Sequence, residues 1–140
     1  MTHAKRSISL AAALIVLAAV FSPVPANAAA GLESRTSATS GVTVKVTPKN
    51  VASSAATWEF AIVLDSHTQD LSDDLLKSAR LIDGENRQHA PIAWDGAPPG
   101  GHHREGVLRF KPIAPAPQAV ELQIARPGES TPRSFRWQLK

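Results

Sequence analysis

The chain has 140 residues, 15 Lys and Arg against 12 Asp and Glu for a formal net charge of +3, and neither cysteine nor tyrosine. That length supports one domain with a single modest core. The lack of cysteine excludes disulfides, thiol nucleophiles and thiolate metal sites, and the small charge gives no ground for a nucleic-acid partner.

The first 28 residues read as a secretory signal. Lys5 and Arg6 form a positive n-region, Ile8 to Phe21 an apolar h-region, and Ala26-Asn27-Ala28 the small-x-small pattern at which cleavage is expected. Pro23 and Pro25 interrupt the apolar run, which falls short of the roughly 20 residues that span a bilayer, so no membrane anchor is expected after cleavage. The mature chain would keep 140 − 28 = 112 residues, and loss of Lys5 and Arg6 would leave 13 basic residues against 12 acidic ones. The implied location is the periplasm or the medium.

Residues 29–41 are rich in Ala, Ser, Thr and Gly with no apolar periodicity, which predicts a flexible leader, and the domain is expected to occupy residues 42–140. Val42 to Thr47 alternates apolar and polar residues and predicts a half-buried strand that Pro48 stops. Thr57 to Leu64 predicts a second strand with Trp58, Phe60, Ile62 and Leu64 on its core face. The polar stretch from Asp65 to Leu76 predicts a loop, in which Ser72 could cap one helical turn ahead of Asp73 and Asp74.

Ala79 to Ile82 predicts a strand, Asp83 to Asn86 a turn in which Gly84 supplies positive φ, and Arg87 to Trp94 the returning strand. The breaker-rich run Asp95 to Gly101 leads through the adjacent histidines to a strand over Val107 to Phe110. Pro112, Pro115 and Pro117 predict an extended crossover between sheets. Val120 to Ile124 and Ser134 to Leu139 then alternate as the last two strands, Phe135, Trp137 and Leu139 facing inward. About seven short strands and almost no helical signal predict an all-β antiparallel sandwich of immunoglobulin or fibronectin-III type, with a small barrel as the second choice.

Chemistry is concentrated around Gly100-Gly101-His102-His103-Arg104. His102 and His103, with His67 and Asp65 from the earlier loop, have the nitrogen and oxygen donors that suit Cu(II), Zn(II) or Ni(II). In a regular strand the two adjacent rings would point to opposite faces, so such a site needs a bend at Gly100-Gly101. The alternative uses the same residues to lock loops. Arg104 would pair with Asp65, Asp70 or Asp95 and donate to loop carbonyls, a histidine ring would bridge two loops, and Trp94 would sit partly exposed beside them.

Asp65, Asp70, Asp73 and Asp74 lack the alternating ligands and central glycine of an EF-hand, and His89, mid-strand among polar neighbours, is expected to face solvent. No catalytic residue is expected. Ser66 and His67 are chain neighbours rather than a triad, Gly-x-Ser-x-Gly and His-Glu-x-x-His are absent, and nothing calls for Asp70 and Asp95 as paired acids of a sugar hydrolase. The two function classes left are a metal-binding exported module and a structural or interaction module with an exported protein as partner.

The run Trp94-Asp95-Gly96, Pro98 to Arg104, then Gly106-Val107-Leu108 and Phe110, with Leu64-Asp65 and His67 upstream, resembles a family of small exported prokaryotic proteins of uncharacterised function. The resemblance covers most of the mature domain. It implies that the histidine loop and the Asp65 to His67 loop are the family signature, and it brings no activity with it.

Overall fold

A computed structural model describes residues 32–140, so the signal-like segment 1–28 and residues 29–31 lie outside the described residues. Strands β1 (Arg35–Thr39), β2 (Val42–Asn50) and β3 (Trp58–Ser66) precede a single helical turn, α1 (Leu75–Ser78). After it come β4 (Ala79–Ile82), β5 (Gln88–His89), β6 (Ala93–Gly96), β7 (His103–Phe110), β8 (Ala119–Ile124) and β9 (Arg133–Gln138). They form two antiparallel sheets, β1-β2-β3-β7-β6 and β5-β4-β8-β9.

The core is the facing pair of inward phases. Val42, Val44 and Val46 of β2, Trp58, Phe60, Ile62 and Leu64 of β3, and Leu108 and Phe110 of β7 pack with Leu81 of β4, Val120, Leu122 and Ile124 of β8, and Phe135 and Trp137 of β9. Phe60 joins the sheets, with its ring 5.7 Å and edge-on from Phe110 and 5.7 Å from Trp137. The apolar bodies of Trp58 and Trp137 fill the core, while their indole N–H groups reach main-chain carbonyls, Ala52 at 2.9 Å and Glu33 at 2.7 Å.

Among the described residues, nine strands replace the about seven expected, for two local reasons. Part of the 29–41 stretch, expected as a flexible leader, is β1, which pairs with β2 from Arg35 opposite Val46 to Thr39 opposite Val42. It is an edge strand with no buried residue, so neither face shows the alternation by which a strand is recognised. The single strand expected over Arg87 to Trp94 is divided at Pro91: Gln88 and His89 pair with β4 in one sheet, and Ala93 to Gly96 pair with β7 in the other.

Smaller differences have similar causes. Pro48 does not end β2, because β1 reaches only as far as Val46 and leaves that side of the ladder without a partner that needs its N–H. In the turn after β4 the left-handed residue is Asn86 at φ 61°, not Gly84, in keeping with the tolerance of asparagine for that region. Asp83 organises this turn, its Oδ1 accepting from the N–H groups of Glu85 and Arg87. The helical turn is capped by Asp74, whose carboxylate accepts from Lys77 N–H, rather than by Ser72. The proline-rich crossover does carry the chain from one sheet to the other, from β7 to β8.

Candidate functional site

The ends of β3 and β6, the starts of β2, β4, β7 and β9, and the end of β8 meet at one end of the two sheets, and the histidine loop lies there. Gly100 at φ 120° and Gly101 at φ 75° turn the chain so that its main chain docks on the loop after β3. Gly100 N–H donates to Leu71 O, Leu71 N–H to Gly101 O, and Ser66 N–H to His102 O, at 2.8, 2.9 and 2.8 Å. Asp70 completes the joint by accepting from Gly101 N–H at 2.7 Å. The glycine conformations thus seat one loop on another.

Arg104 holds the joint from inside. It is 1 % exposed, and it donates from Nη1 to Leu71 O (3.1 Å) and Asp73 O (2.8 Å) and from Nη2 to Ala97 O (3.2 Å). The partners expected from the sequence, Asp65, Asp70 and Asp95, are engaged elsewhere, Asp95 with Arg109 and Asp65 with His103. The Trp94 ring covers the guanidinium with its centroid 5.8 Å from Arg104 Cζ, and the indole N–H donates to Ala97 O. Gly96 and Gly106, opposite each other in the β6–β7 ladder, make room for that ring. A Cβ on Gly106 would come within 2.5 Å of Gly96 Cα and 2.8 Å of the indole.

Beyond Arg104 the polar chain continues through residues that sequence reasoning did not single out for this role. The Asp73 carboxylate, buried at 1 %, accepts from Arg126 Nε at 2.8 Å and Nη2 at 3.0 Å, a bidentate pair. Arg126 also donates to Glu129, which in turn takes two bonds from Arg133. Arg133 crosses to the other sheet, where its Nη1 donates to Ser37 O and Val42 O and its Nη2 to Thr39 O, at 2.9, 2.8 and 2.7 Å. Three buried guanidinium groups therefore share one buried carboxylate, Asp73, and one partly buried one, Glu129, the surplus positive charge facing main-chain carbonyls.

The charges in this chain hold one another. Hydrogen bonding from Arg133, against the opposing effect of burial, keeps the Glu129 carboxyl below its ordinary value. Burial works against the charge on Arg126, and the carboxylates of Asp73 and Glu129 outweigh it, so its pKa is raised. A signal for these residues exists in the sequence. Arg104 continues the inward phase of Gly106, Leu108 and Phe110, Arg126 that of Leu122 and Ile124, and Arg133 that of Phe135 and Trp137.

The four residues expected as a metal set are not assembled. Among the described residues, no group of three or more His, Asp or Glu is disposed to hold a metal ion. His103 joins the β3–β7 ladder opposite Asp65, on the outer face, and its Nδ1 lies 2.5 Å from the Asp65 carboxylate. Hydrogen bonding to Asp65 raises the His103 pKa, and Glu105, 3.7 Å from Nε2, adds to the rise. His67 and His102 are exposed, and their rings enter no hydrogen bond or ion pair among the described residues. The neighbouring hydroxyl, Ser66 Oγ, donates to Gly41 O and accepts from Thr68 and Gln69 N–H.

His89 does not simply face solvent. At the opposite end of the sheets it is half-buried, with Nε2 2.9 Å from the Asp83 carboxylate that also binds Arg87 Nε at 2.9 Å. The His89 hydrogen bond, opposed by burial and joined by Arg87 and the turn N–H groups, holds the Asp83 carboxyl far below the ordinary carboxylate range.

Compared with protein-family models, curated proteins and solved structures, the chain matches none. No helix among the described residues is long and apolar enough to cross a membrane.

Proposed function

We propose that this protein is an exported, non-enzymatic module of immunoglobulin-like topology that works through protein interaction, and that its histidine-loop residues serve to lock loops. The observation that carries the reading is the buried Arg104, whose terminal nitrogens bond three main-chain carbonyls of two loops. The topology is supported by the strand orders β2-β3-β7-β6 and β5-β4-β8-β9, which follow the A-B-E-D and C-F-G arrangement, with β5 as a short C′-like strand and β1 as an added edge. Export is supported by the signal-like pattern of residues 1–28. On this reading, the run from Trp94 to Phe110 that marks the resemblance to small exported prokaryotic proteins is a folding signature.

The test sets the lock against the metal site. Calorimetric titration with Zn(II), Cu(II) and Ni(II) is expected to give no saturable heat, and Arg104→Met to cost about 1–3 kcal/mol in urea unfolding, since it leaves the buried Asp73 carbonyl without a donor and takes one of two donors from Leu71 O and Ala97 O. Saturable heat that disappears in a His102→Ala/His103→Ala double variant would overturn the lock in favour of a site formed by His67, His102, His103 and Asp65.

A further inference from the structure

The other end of the sheets is built differently. A groove of about 580 Å³ opens there between the chain that switches sheets after β5 and the crossover that follows β7. Its walls carry His89 and Ile92 on one side and Lys111 and Ile113 on the other. The size is that of a ligand cleft, about 300–1,000 Å³. Three features on its rim bear on what it would take.

The first is apolar. Ile92 is 48 % exposed, the more exposed of the two large apolar side chains left at the described surface, while Ile113, on the far wall, is a core residue only 5 % exposed. The second is main chain. Asp83 N–H donates to Arg87 O and Leu81 lies opposite His89, so the alternation of an antiparallel ladder turns the N–H and C=O of Gln88 and Ala90 away from β4, toward a free edge. The third is charge. Lys111 is exposed and makes no ion pair or hydrogen bond among the described residues, whereas Arg87 is already paired with Asp83 and Glu85, so the charge that the groove offers is that of Lys111. No carboxylate belongs to the groove lining, and Asp83, which holds His89 and Arg87, is itself buried.

From these we infer that the groove binds an extended peptide segment in which acidic and aliphatic side chains alternate. The segment would add to the edge at Gln88 and Ala90, set an aliphatic side chain against Ile92, and bring a carboxylate to Lys111. Strand addition provides main-chain hydrogen bonds, and alternate side chains provide the selectivity. Pro91 limits the pairing edge to a few residues, so side-chain contacts must supply much of the affinity. The inference rests on the interaction reading above and names the surface and the partner chemistry for it.

The test uses the whole chain, labelled with ¹⁵N, and a pool of acetylated, amidated heptapeptides in which Glu or Asp alternates with Val, Leu or Ile. Saturable shifts are expected at Gln88, Ala90, Ile92 and Lys111. Lys111→Glu and Ile92→Asp, both at exposed positions, should each weaken binding at least tenfold with an unchanged thermal midpoint, and a pool with Lys in place of the acids should bind the Lys111→Glu variant better than the parent. No saturable shift, shifts centred on the histidine loop, an affinity in both variants equal to the parent's, or the same shifts with free glutamate would each overturn the proposal. Such a failure would leave the metal titration and the Arg104 result untouched, so it is distinguishable from failure of the loop lock.

Discussion

The two ends of the sandwich solve the same problem, how to close loops over a core without disulfides, in opposite ways. At the histidine-loop end, charge goes inside: Arg104, Asp73, Arg126 and Arg133 are each at most 5 % exposed and tie together loops and strands from both sheets. At the Asp83 end a single buried carboxylate gathers one turn and its own short strand, and the surface beside it stays grooved, with Ile92 and Lys111 uncovered. Burying several charges ties an end to itself, with the buried Arg104 Nε left without a partner among the described residues. An end with one buried charge keeps edges and side chains available to a partner.

Breaking the first end should have the largest effect. Asp73→Ala leaves Arg126 buried without its bidentate carboxylate and is expected to cost about 3–5 kcal/mol in urea unfolding at pH 7; a loss below about 1 kcal/mol would mean that the ion pair does not hold this end. Gly106→Ala forces a methyl group between the β6 and β7 main chains and the Trp94 ring. Overpacking of that kind costs about 1–3 kcal/mol, and a shifted tryptophan emission maximum would place the strain at the indole.

The Asp83 end is best probed by pH. Because the folded pKa of Asp83 lies below that of an unfolded aspartate, about 3.9, its contribution is complete above that pH and is lost as the pH falls toward the folded value. The thermal midpoint should therefore drop below about pH 4. Asp83→Asn should lower the midpoint at pH 7 and flatten the acid limb, and an unaltered limb would count against the assignment. Glu129 and Glu121, also lowered, keep part of the slope in the variant.

The smallest effect is expected at His103. Its raised pKa gives a contribution present below about pH 6.5 and lost as the pH rises through the folded value. With His103 and Asp65 57 % and 54 % exposed, salt should screen the pair, and His103→Gln should match the parent at 1 M NaCl. A variant effect that survives that salt concentration would mean the histidine does more than decorate the ladder.

Alternation made most of the fold legible. Trp58, Phe60, Ile62 and Leu64, like Phe135 and Trp137, had inward phases that the buried core reproduces. β1 was not legible, because a strand exposed on both faces has nothing to alternate. The partners in the polar network were hidden for another reason: Asp73 and Arg126 are 53 residues apart, and a periodic pattern can say that an arginine points inward without saying what it meets. Arg104 shows the limit well. Its inward phase and its bonds to loop carbonyls follow from residue type and position, whereas the choice of Leu71, Asp73 and Ala97 over three nearby aspartates depends on how two glycines seat the loop.

The bonds from Arg133 and Trp137 to the main chain at Ser37, Thr39 and Glu33 join residues between 94 and 104 positions apart. Contacts that distant form late, after the cost of closing a long loop has been met. A growing chain that has β1 through β8 still lacks the donors that fasten its first strand. Until the ninth is present, β1 keeps only its hairpin with β2, and the carbonyls of Ser37 and Thr39 lack their guanidinium partner. Closure of the first strand therefore waits on the last, and a chain cut short before β9 is expected to hold β1 by that hairpin alone.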